Sequence, residues 1–288
     1  MASEMELVKK LRDELGAGFM ACKKALTEAN GDYDKAYDIL RKQGASKALS
    51  KADRVANEGL CGYLMNDTGI VVVKLNCETD FVAKNEKFQA LLETILGIAL
   101  KNKSSSVDEL LSANDNGKNV KEIITEGVAS IGENIVLSDV VYNSIGDGKS
   151  ASVYVHNKAE GKDNMGRIIT ITFASGVNDN DNAKLLLKQI DMHITAMSPI
   201  ALEEGSIDSS VIEREKAIYE EQVAKLNKPA DIAKKMVEGK LRKFYEESVL
   251  LKQTFVMDNK SSVADVVAKF NKDNNASLKL LSFNRVAI

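Results

Sequence analysis

The sequence lacks the features of a nucleic-acid-binding protein, a membrane protein and a metal site. Its 39 basic residues are outnumbered by 42 acidic ones, giving a net charge of −3, so it has no basic excess with which to neutralise nucleic-acid phosphates. No apolar run approaches the roughly 20 residues that span a bilayer. Its two histidines, His156 and His193, supply few ligands for a metal cluster. We therefore expect no direct nucleic-acid binding, no membrane insertion, no metal and no cofactor.

Cysteine is also scarce, since Cys22, Cys61 and Cys77 are far apart and odd in number. A disulfide framework usually has an even set, so these three fit a reducing compartment better. The first residues, MASEMELVKKLRDEL, have neither the apolar core of a signal peptide nor the Arg- and Ser-rich character of a transit peptide. From the sequence we expect a cytoplasmic protein.

The motifs of common enzyme classes are missing from the sequence. It has no GxxxxGK(S/T) phosphate loop, no GxSxG nucleophile elbow, no HExxH helix and no CxxC pair. Cys77 would serve as a nucleophile only with a base close by, and structural roles are favoured for all the thiols. His193 lies on the apolar face of a predicted helix, which favours a packed core residue, whereas the position of His156 favours the surface. We expect no covalent catalysis.

The 288 residues exceed what one compact core usually needs, which predicts two or more modules. Residues 1–44 are predicted to form a domain of three helices, the first of which starts at a capping box between Ser3 and Glu6. Residues 45–57 contain few large apolar side chains and are predicted to be a linker that is partly helical.

The next part of the chain is predicted to hold two related αβ subdomains with antiparallel sheets, residues 58–143 and 144–206. In each of them, two strand-like runs joined by a turn precede an amphipathic helix. Gly69 and Gly166 stand at the start of the second strand in the respective copies. The fold class predicted from the sequence is therefore α+β.

Residues 207–247 are polar and strongly helical, with a break at residues 227–229. Two narrow apolar stripes joined by a tight turn predict a protruding antiparallel coiled-coil arm. Residues 248–288 are predicted to form a C-terminal module with a short helix and a strand. The two stripes consist of Ile212, Tyr219, Val223 and Leu226 on the first helix and of Ile232, Met236 and Phe244 on the second.

The stretch LNCETDFVAKNE, residues 75–86, connects a predicted strand to a predicted helix through a polar turn with one large apolar side chain, Phe81. Two interpretations of this turn stay open. In the first, Phe81 folds back onto the helix core and Asp80 caps the N-terminus of the helix. In the second, Phe81 projects outward as an anchor for a partner protein, and burial of the ring there supplies on the order of 2–3 kcal/mol.

Five separated motifs resemble the elongation factor Ts family, in the family's order and over nearly the whole chain. The likeness is weakest over residues 101–120 and the last 35 residues, where it is mainly one of layout. The motifs are LVKKLRDELGAGFMACKKALTEANGDYDKA near the start, LNCETDFVAK at 75–84, IGENI at 131–135, DMHITAMSP at 191–199 and KMVEGKLRKFYEESVLLKQTFV at 235–256.

The resemblance implies a guanine-nucleotide exchange factor for elongation factor Tu, the GTPase that delivers aminoacyl-tRNA to the ribosome. It also implies that the N-terminal helices form a ubiquitin-associated-like domain. In the family, a Thr-Asp-Phe-Val corner enters the partner's nucleotide domain and displaces the magnesium ion beside the bound diphosphate. That corner corresponds here to Thr79, Asp80, Phe81 and Val82.

Further partner contacts implied by the resemblance are Gly18, Phe19 and Met20 in the helical domain and Tyr154 and His156 in the second subdomain. A homodimer and a 2:2 complex with the partner are both compatible with it. Two alternatives to an exchange factor remain. One is a tethering module that binds a GTPase without changing its affinity for nucleotide, and the other, more remote, is an enzyme with a cysteine nucleophile.

Overall fold

The fold is described by a computed structural model that covers residues 3–146, 148–177 and 180–288. It combines helices with antiparallel strands, so the predicted α+β class is confirmed. The chain divides into two compact units. Unit 1 comprises Met1–Ile145, Val155–Ile169 and Val286–Ile288, and unit 2 comprises Gly146–Tyr154 and Thr170–Arg285.

Unit 1 begins with α1 (Glu4–Leu15), α2 (Phe19–Glu28) and α3 (Tyr33–Leu49), which share one core. The predicted capping box at the start of α1 is confirmed, because the side chains of Ser3 and Glu6 each accept a hydrogen bond from the other's backbone amide. α3 extends into the segment that the sequence predicts as a linker. Buried apolar side chains at helical spacing pack between these helices, namely Val8, Leu11, Cys22, Ala25, Leu26, Ala36 and Leu40.

Further helices and an antiparallel sheet form most of the rest of unit 1. β2 pairs with β1 on one side and with β5 on the other. The elements are β1 (Glu58–Asn66), β2 (Gly69–Cys77), α4 (Asp80–Ala83), α5 (Glu86–Asn102), α6 (Val107–Ser112), β3 (Asn114–Asp115), β4 (Lys118–Asn119), α7 (Val120–Ile131) and β5 (Val136–Ser144).

Helix α5 covers one face of the sheet of unit 1, as its apolar periodicity predicts. Phe88, Leu92 and Ile95 are fully buried between this helix and the strands. The helix approaches β1 closely at Gly62, where a Cβ atom would lie 2.7 Å from Cδ1 of Leu96. A residue with a side chain there would force Leu96 to repack.

Helix α3 packs against α7. The Arg41 guanidinium donates a hydrogen bond of 3.1 Å to the Glu122 carboxylate, and Gly44 faces Ala129 at close range. α7 starts at an Asn119 capping box and ends at Gly132, which has a φ of +94°. This left-handed residue ends the helix and turns the chain toward β5, since glycine adopts positive φ without a steric cost.

Two strands pass from one unit into the other, β6 (Lys149–Lys158) and β7 (Met165–Ser175). In unit 2 they are followed by α8 (Asp181–Met197), so the order of strand, strand and helix repeats that of β1, β2 and α5. Unit 2 continues with α9 (Ser209–Ala224), α10 (Ala230–Ser248), α11 (Val263–Asn274) and most of β8 (Lys279–Ala287). Its core joins α8 to the C-terminal segment through Leu187, Ile190, Ile194, Leu250, Phe255, Val263 and Val267.

His193 is buried in unit 2, as the sequence predicts. Its Nδ1 accepts a hydrogen bond from the Val256 amide, so the proton lies on Nε2, which donates to Oε1 of Gln253 at 3.0 Å. Gln253 in turn donates to the carbonyl oxygens of Met197 and Glu247. Burial lowers the pKa of His193, and the ring is a neutral core residue.

Helices α9 and α10 form an antiparallel hairpin, since Lys240 donates to Gln222 and also lies over the ring of Tyr219. The buried face differs in part from the predicted stripes. Val223 is buried as expected, but on α10 the buried residue is Val237, while Ile232 is half exposed. The residues of α10 that face α9 are therefore one position later than the apolar periodicity alone indicates.

Asp191 on α8 is a fully buried carboxyl group. The Ser152 hydroxyl donates a hydrogen bond of 2.5 Å to its Oδ2. Its other oxygen, Oδ1, is buried near the Thr172 hydroxyl, and the polar interactions with Ser152 and Thr172 oppose the effect of burial on the pKa. Burial raises the pKa of Asp191 to about 7, because removing the carboxylate from water disfavours its charged form.

We expect the stability of unit 2 to fall as the pH rises from about 4 to about 7, since Asp191 keeps its proton in the folded state to a higher pH than the ordinary value of about 3.9 in the unfolded chain. The full effect is on the order of a few kcal/mol. In Asp191→Asn the side chain stays neutral, so urea unfolding followed by circular dichroism should show a gain over the parent at pH 8 but not at pH 4. An equal difference at both pH values contradicts a raised pKa.

Candidate functional site

The Thr-Asp-Phe-Val corner forms the single turn of α4, which lies between β2 and α5. Thr79, not Asp80, is the N-cap of this turn, because its Oγ1 accepts a hydrogen bond of 3.3 Å from the Val82 amide. The cap of α5 is Asn85, which accepts from the Lys87 amide at 2.8 Å. The interpretation of Asp80 as a helix cap is therefore wrong, since neither helix uses it.

Phe81 points into solvent with 79% of its surface exposed. The residues that follow it are anchored instead, because Val82 packs against the core of unit 1 and Ala83 is buried in it. Neighbouring positions on a helical turn point about 100° apart, so one turn can insert two side chains into the core while it presents a third outward. The interpretation in which Phe81 folds back onto the helix core is wrong.

Asp80 lies beside the exposed ring and is ionised. Its carboxylate accepts a hydrogen bond of 2.7 Å from the Lys84 ammonium, four residues later. This hydrogen bond lowers the pKa of Asp80. Both side chains are solvent-exposed, and such pairs contribute little to stability, so Asp80 is free to exchange Lys84 for another partner.

The backbone of the corner is held by Glu133, a residue from the segment between α7 and β5. One oxygen of its carboxylate accepts hydrogen bonds from the amides of Glu78 and Thr79, both at 3.0 Å, and the other accepts from the Thr79 hydroxyl at 2.7 Å. Sequence reasoning missed Glu133. The sequence feature that could have indicated it is its place in the IGENI motif, which the sequence analysis used only as evidence of family resemblance.

The candidate contacts in the N-terminal helices lie at the start of α2. Gly18 is its N-cap residue and offers no side chain, and Phe19 and Met20 form its first turn. Met20 is 72% exposed and Phe19 is 43% exposed. Both side chains are therefore accessible from solvent at the start of the helix.

Tyr154 and His156 lie two residues apart on β6, Tyr154 in unit 2 and His156 in unit 1. Both are partly buried and partly open to solvent. The prediction of a surface position for His156 therefore holds only in part.

The cysteine side chains are all removed from solvent. Cys22, Cys61 and Cys77 are buried and carry free thiols. The Cys77 thiol donates to the Thr79 carbonyl oxygen at 3.1 Å, and burial, with the Glu133 charge as a second cause, raises its pKa to about 12. A thiol with this pKa is almost entirely protonated at neutral pH, whereas the thiolate is the reactive form.

Within the described ranges, no three His, Cys, Asp or Glu side chains are grouped so that they could hold a metal ion. Over the same ranges, none of the helices has both the length and the apolar character that a bilayer crossing requires.

Comparison with known proteins shows which sequences the chain resembles. A sequence model described as elongation factor TS matches residues 78–288. Elongation factor Ts of Sphingopyxis alaskensis is 43% identical over 281 residues, which cover 97% of this chain and 90% of that protein. The protein of the same name from Brucella anthropi is 42% identical over 289 residues, covering 100% and 93%. That of Clostridium acetobutylicum is 40% identical over 282 residues, covering 96% and 90%.

We expect Phe81→Ala to change the free energy of unfolding by no more than about 0.5 kcal/mol, because the exposed ring contributes little to the folded state. The matched control is Phe88→Ala, which removes a fully buried ring from α5 and should cost about 3–5 kcal/mol. Thermal and urea unfolding measure both. If the two substitutions destabilise the protein equally, Phe81 is a core residue after all.

Proposed function

This chain belongs to the elongation factor Ts family, and we propose that it binds the GDP-bound form of elongation factor Tu and accelerates the release of GDP, so that GTP binds in its place. The observation that supports this function most directly is the 79% exposure of Phe81 on a turn whose neighbouring residues are anchored in the core. Burying such a ring in a partner supplies about 2–3 kcal/mol, which serves to hold the GTPase in a strained conformation rather than to tighten association. The factor performs no covalent chemistry and needs no cofactor or metal of its own.

In the proposed mechanism, Phe81 wedges between two helices of the GTPase and displaces its magnesium ion. Mg²⁺ requires near-ideal octahedral oxygen ligands, and phosphate-binding loops hold nucleotides by backbone amides. Both depend on small distances, so a shift of the segments that supply these ligands weakens magnesium and GDP together. Thr79 and Val82 fix the base of the wedge, and Asp80 exchanges Lys84 for donors of the partner.

The exchange needs no contact between Phe81 and the nucleotide. A factor that binds the nucleotide-free GTPase more tightly than the GDP form weakens GDP binding by the same factor, because linkage is reciprocal. A tenfold faster release needs about 1.4 kcal/mol of differential binding. The remaining affinity comes from contacts elsewhere on the chain, for which we propose Gly18, Phe19, Met20, Tyr154 and His156.

We further propose that α1, α2 and α3 form a ubiquitin-associated-like domain and that α9 and α10 form a coiled-coil arm. The shared core of the first three helices and the antiparallel contacts of the hairpin support these assignments. The boundaries predicted from the sequence, including the division of residues 58–206 into two related subdomains, are part of the same proposal. Limited proteolysis tests the boundaries.

We place this function in the cytoplasm, where the GTPase of translation works, and the buried free thiols agree with a reducing compartment. A homodimer or a 2:2 complex with the partner stays a prediction, which sedimentation of the mixture would test. The rival function is a module that tethers the GTPase without changing its affinity for nucleotide. In that case the exposed ring of Phe81 would contribute only to binding of the GTPase.

Stopped-flow release of a fluorescent GDP from elongation factor Tu separates these functions. We expect the chain to accelerate release, and we expect Phe81→Ala to reduce the maximal rate at least tenfold while it changes the half-saturating concentration of the factor less. The reason is that Phe81 stabilises the strained conformation of the GTPase from which GDP leaves, whereas the other contacts provide the affinity between the two proteins. Binding without acceleration would establish the tethering module, and an unchanged rate for the variant would exclude the wedge.

Cys77→Ser tests the remaining enzymatic alternative. The serine hydroxyl replaces the thiol as donor to the Thr79 carbonyl oxygen, so the corner keeps its support and GDP release should keep its parental rate. Complete loss of activity in a variant that still folds, as judged by circular dichroism, would instead indicate a role of the thiol in the reaction.

A further inference from the structure

Three hydrogen-bond donors of the corner converge on the Glu133 carboxylate. It accepts from the amides of Glu78 and Thr79 and from the Thr79 hydroxyl, over distances of 2.7–3.0 Å. We infer that Glu133 is a positioning residue that fixes the orientation in which Phe81 meets the GTPase. This inference rests on the proposed function, and it assigns to Glu133 no contact with the partner.

The corner cannot hold this orientation by itself. α4 is one turn of four residues, and an isolated turn is unstable because its single hydrogen bonds do not compensate the ordering of the backbone. The turn follows β2 directly, so the orientation of Phe81 depends on where the backbone of residues 78–79 lies. Hydrogen bonds to a charged acceptor are the strong ones, about twice as strong as those between neutral groups. The Glu133 carboxylate supplies three such bonds at the start of the turn.

The Glu78 carboxylate binds the segment of Glu133 in return. The Asn134 amide donates to Glu78 Oε1 at 2.7 Å, so each of the two segments binds a backbone amide of the other. The buried Asn134 side chain also donates to the carbonyl oxygens of Ala52 and Arg54, at 3.3 and 2.7 Å. Glu133 is thus held in place by a neighbour that is itself tied to the chain following α3.

Loss of the carboxylate should reduce the fraction of molecules that present Phe81 correctly. If that fraction drops to about one-tenth, every step that requires the wedge slows about tenfold. Association through the other contact residues does not require it. The expected signature is therefore a lower maximal rate of GDP release with a nearly constant half-saturating concentration.

The test is a double-mutant cycle on GDP release from elongation factor Tu, with the parent, Phe81→Ala, Glu133→Ala and the double variant. We expect Glu133→Ala to lower the maximal rate about tenfold and to change the half-saturating concentration less than about threefold. If Glu133 acts through Phe81, the double variant matches Phe81→Ala within about twofold. Independent, multiplying losses would mean that Glu133 acts without Phe81 and would overturn the assignment.

Glu109→Ala is the matched control, since the Glu109 carboxylate also accepts from a backbone amide and a hydroxyl, those of Ser105, at 2.9 and 3.0 Å. It removes a similar set of hydrogen bonds from unit 1 and should leave release unchanged. An equal loss of rate in this control would show that the effect of Glu133 is general destabilisation, which also overturns the assignment.

Hydrogen exchange supplies a readout that does not depend on the GTPase. The amides of Thr79 and Val82, bound to Glu133 and to the Thr79 hydroxyl, should exchange at least tenfold faster in Glu133→Ala than in the parent. Unchanged exchange overturns the assignment even if the parent proves inactive toward the GTPase, an outcome that would by itself refute only the proposed function.

Glu133→Gln is the second variant, for the case in which Glu133→Ala does not fold. The amide oxygen still accepts from the backbone, but the amide nitrogen cannot accept from the Thr79 hydroxyl. We expect Glu133→Gln to lower the maximal rate of GDP release about threefold, with a nearly constant half-saturating concentration. Combined with Phe81→Ala, it should cause no loss beyond that of Phe81→Ala alone. A parental rate and parental exchange in this variant contradict the positioning role.

Discussion

The candidate site depends on the exposed ring of Phe81, whose position is fixed by hydrogen bonds of the backbone before it rather than by contacts of the ring itself. An exposed aromatic side chain gains nothing from the hydrophobic effect, which in other regions fixes side chains by burying them. Its position must therefore come from the backbone that carries it. In this corner the backbone is secured on two sides, by the apolar contacts of Val82 and Ala83 with the core and by the Glu133 carboxylate at residues 78 and 79. Preorganisation of this kind lowers the entropic cost of binding.

The elements that surround the site follow from local sequence patterns. Apolar periodicity predicts an amphipathic helix after two strands, and α5 is found there with Phe88 and Leu92 buried against the sheet. The orientation of Phe81 is not predictable in this way, because both interpretations place the same residue at the same corner. The exposure of the Phe81 side chain in the folded structure decides between them.

Other features escape sequence reasoning for different physical reasons. Thr79 and Asp80 are both types that cap helices, so hydrogen-bond geometry has to identify the cap. On α10 the face that is buried depends on how α9 lies against it, and Val237 takes the place expected for Met236. Glu133 is 54 and 55 residues away from the amides that it binds, and no local pattern reports a partnership over such a separation.

Segment 131–135 has fixed neighbours on both sides, since it ends α7 at Gly132 and leads directly into β5. Between these points, Glu133 and Asn134 bind backbone groups of two other parts of the chain. An inserted or deleted residue there would carry both side chains away from their partners. Length variation within the family should therefore be excluded from this segment and from the corner that it supports, and it should collect instead in exposed turns such as residues 116–117, between β3 and β4.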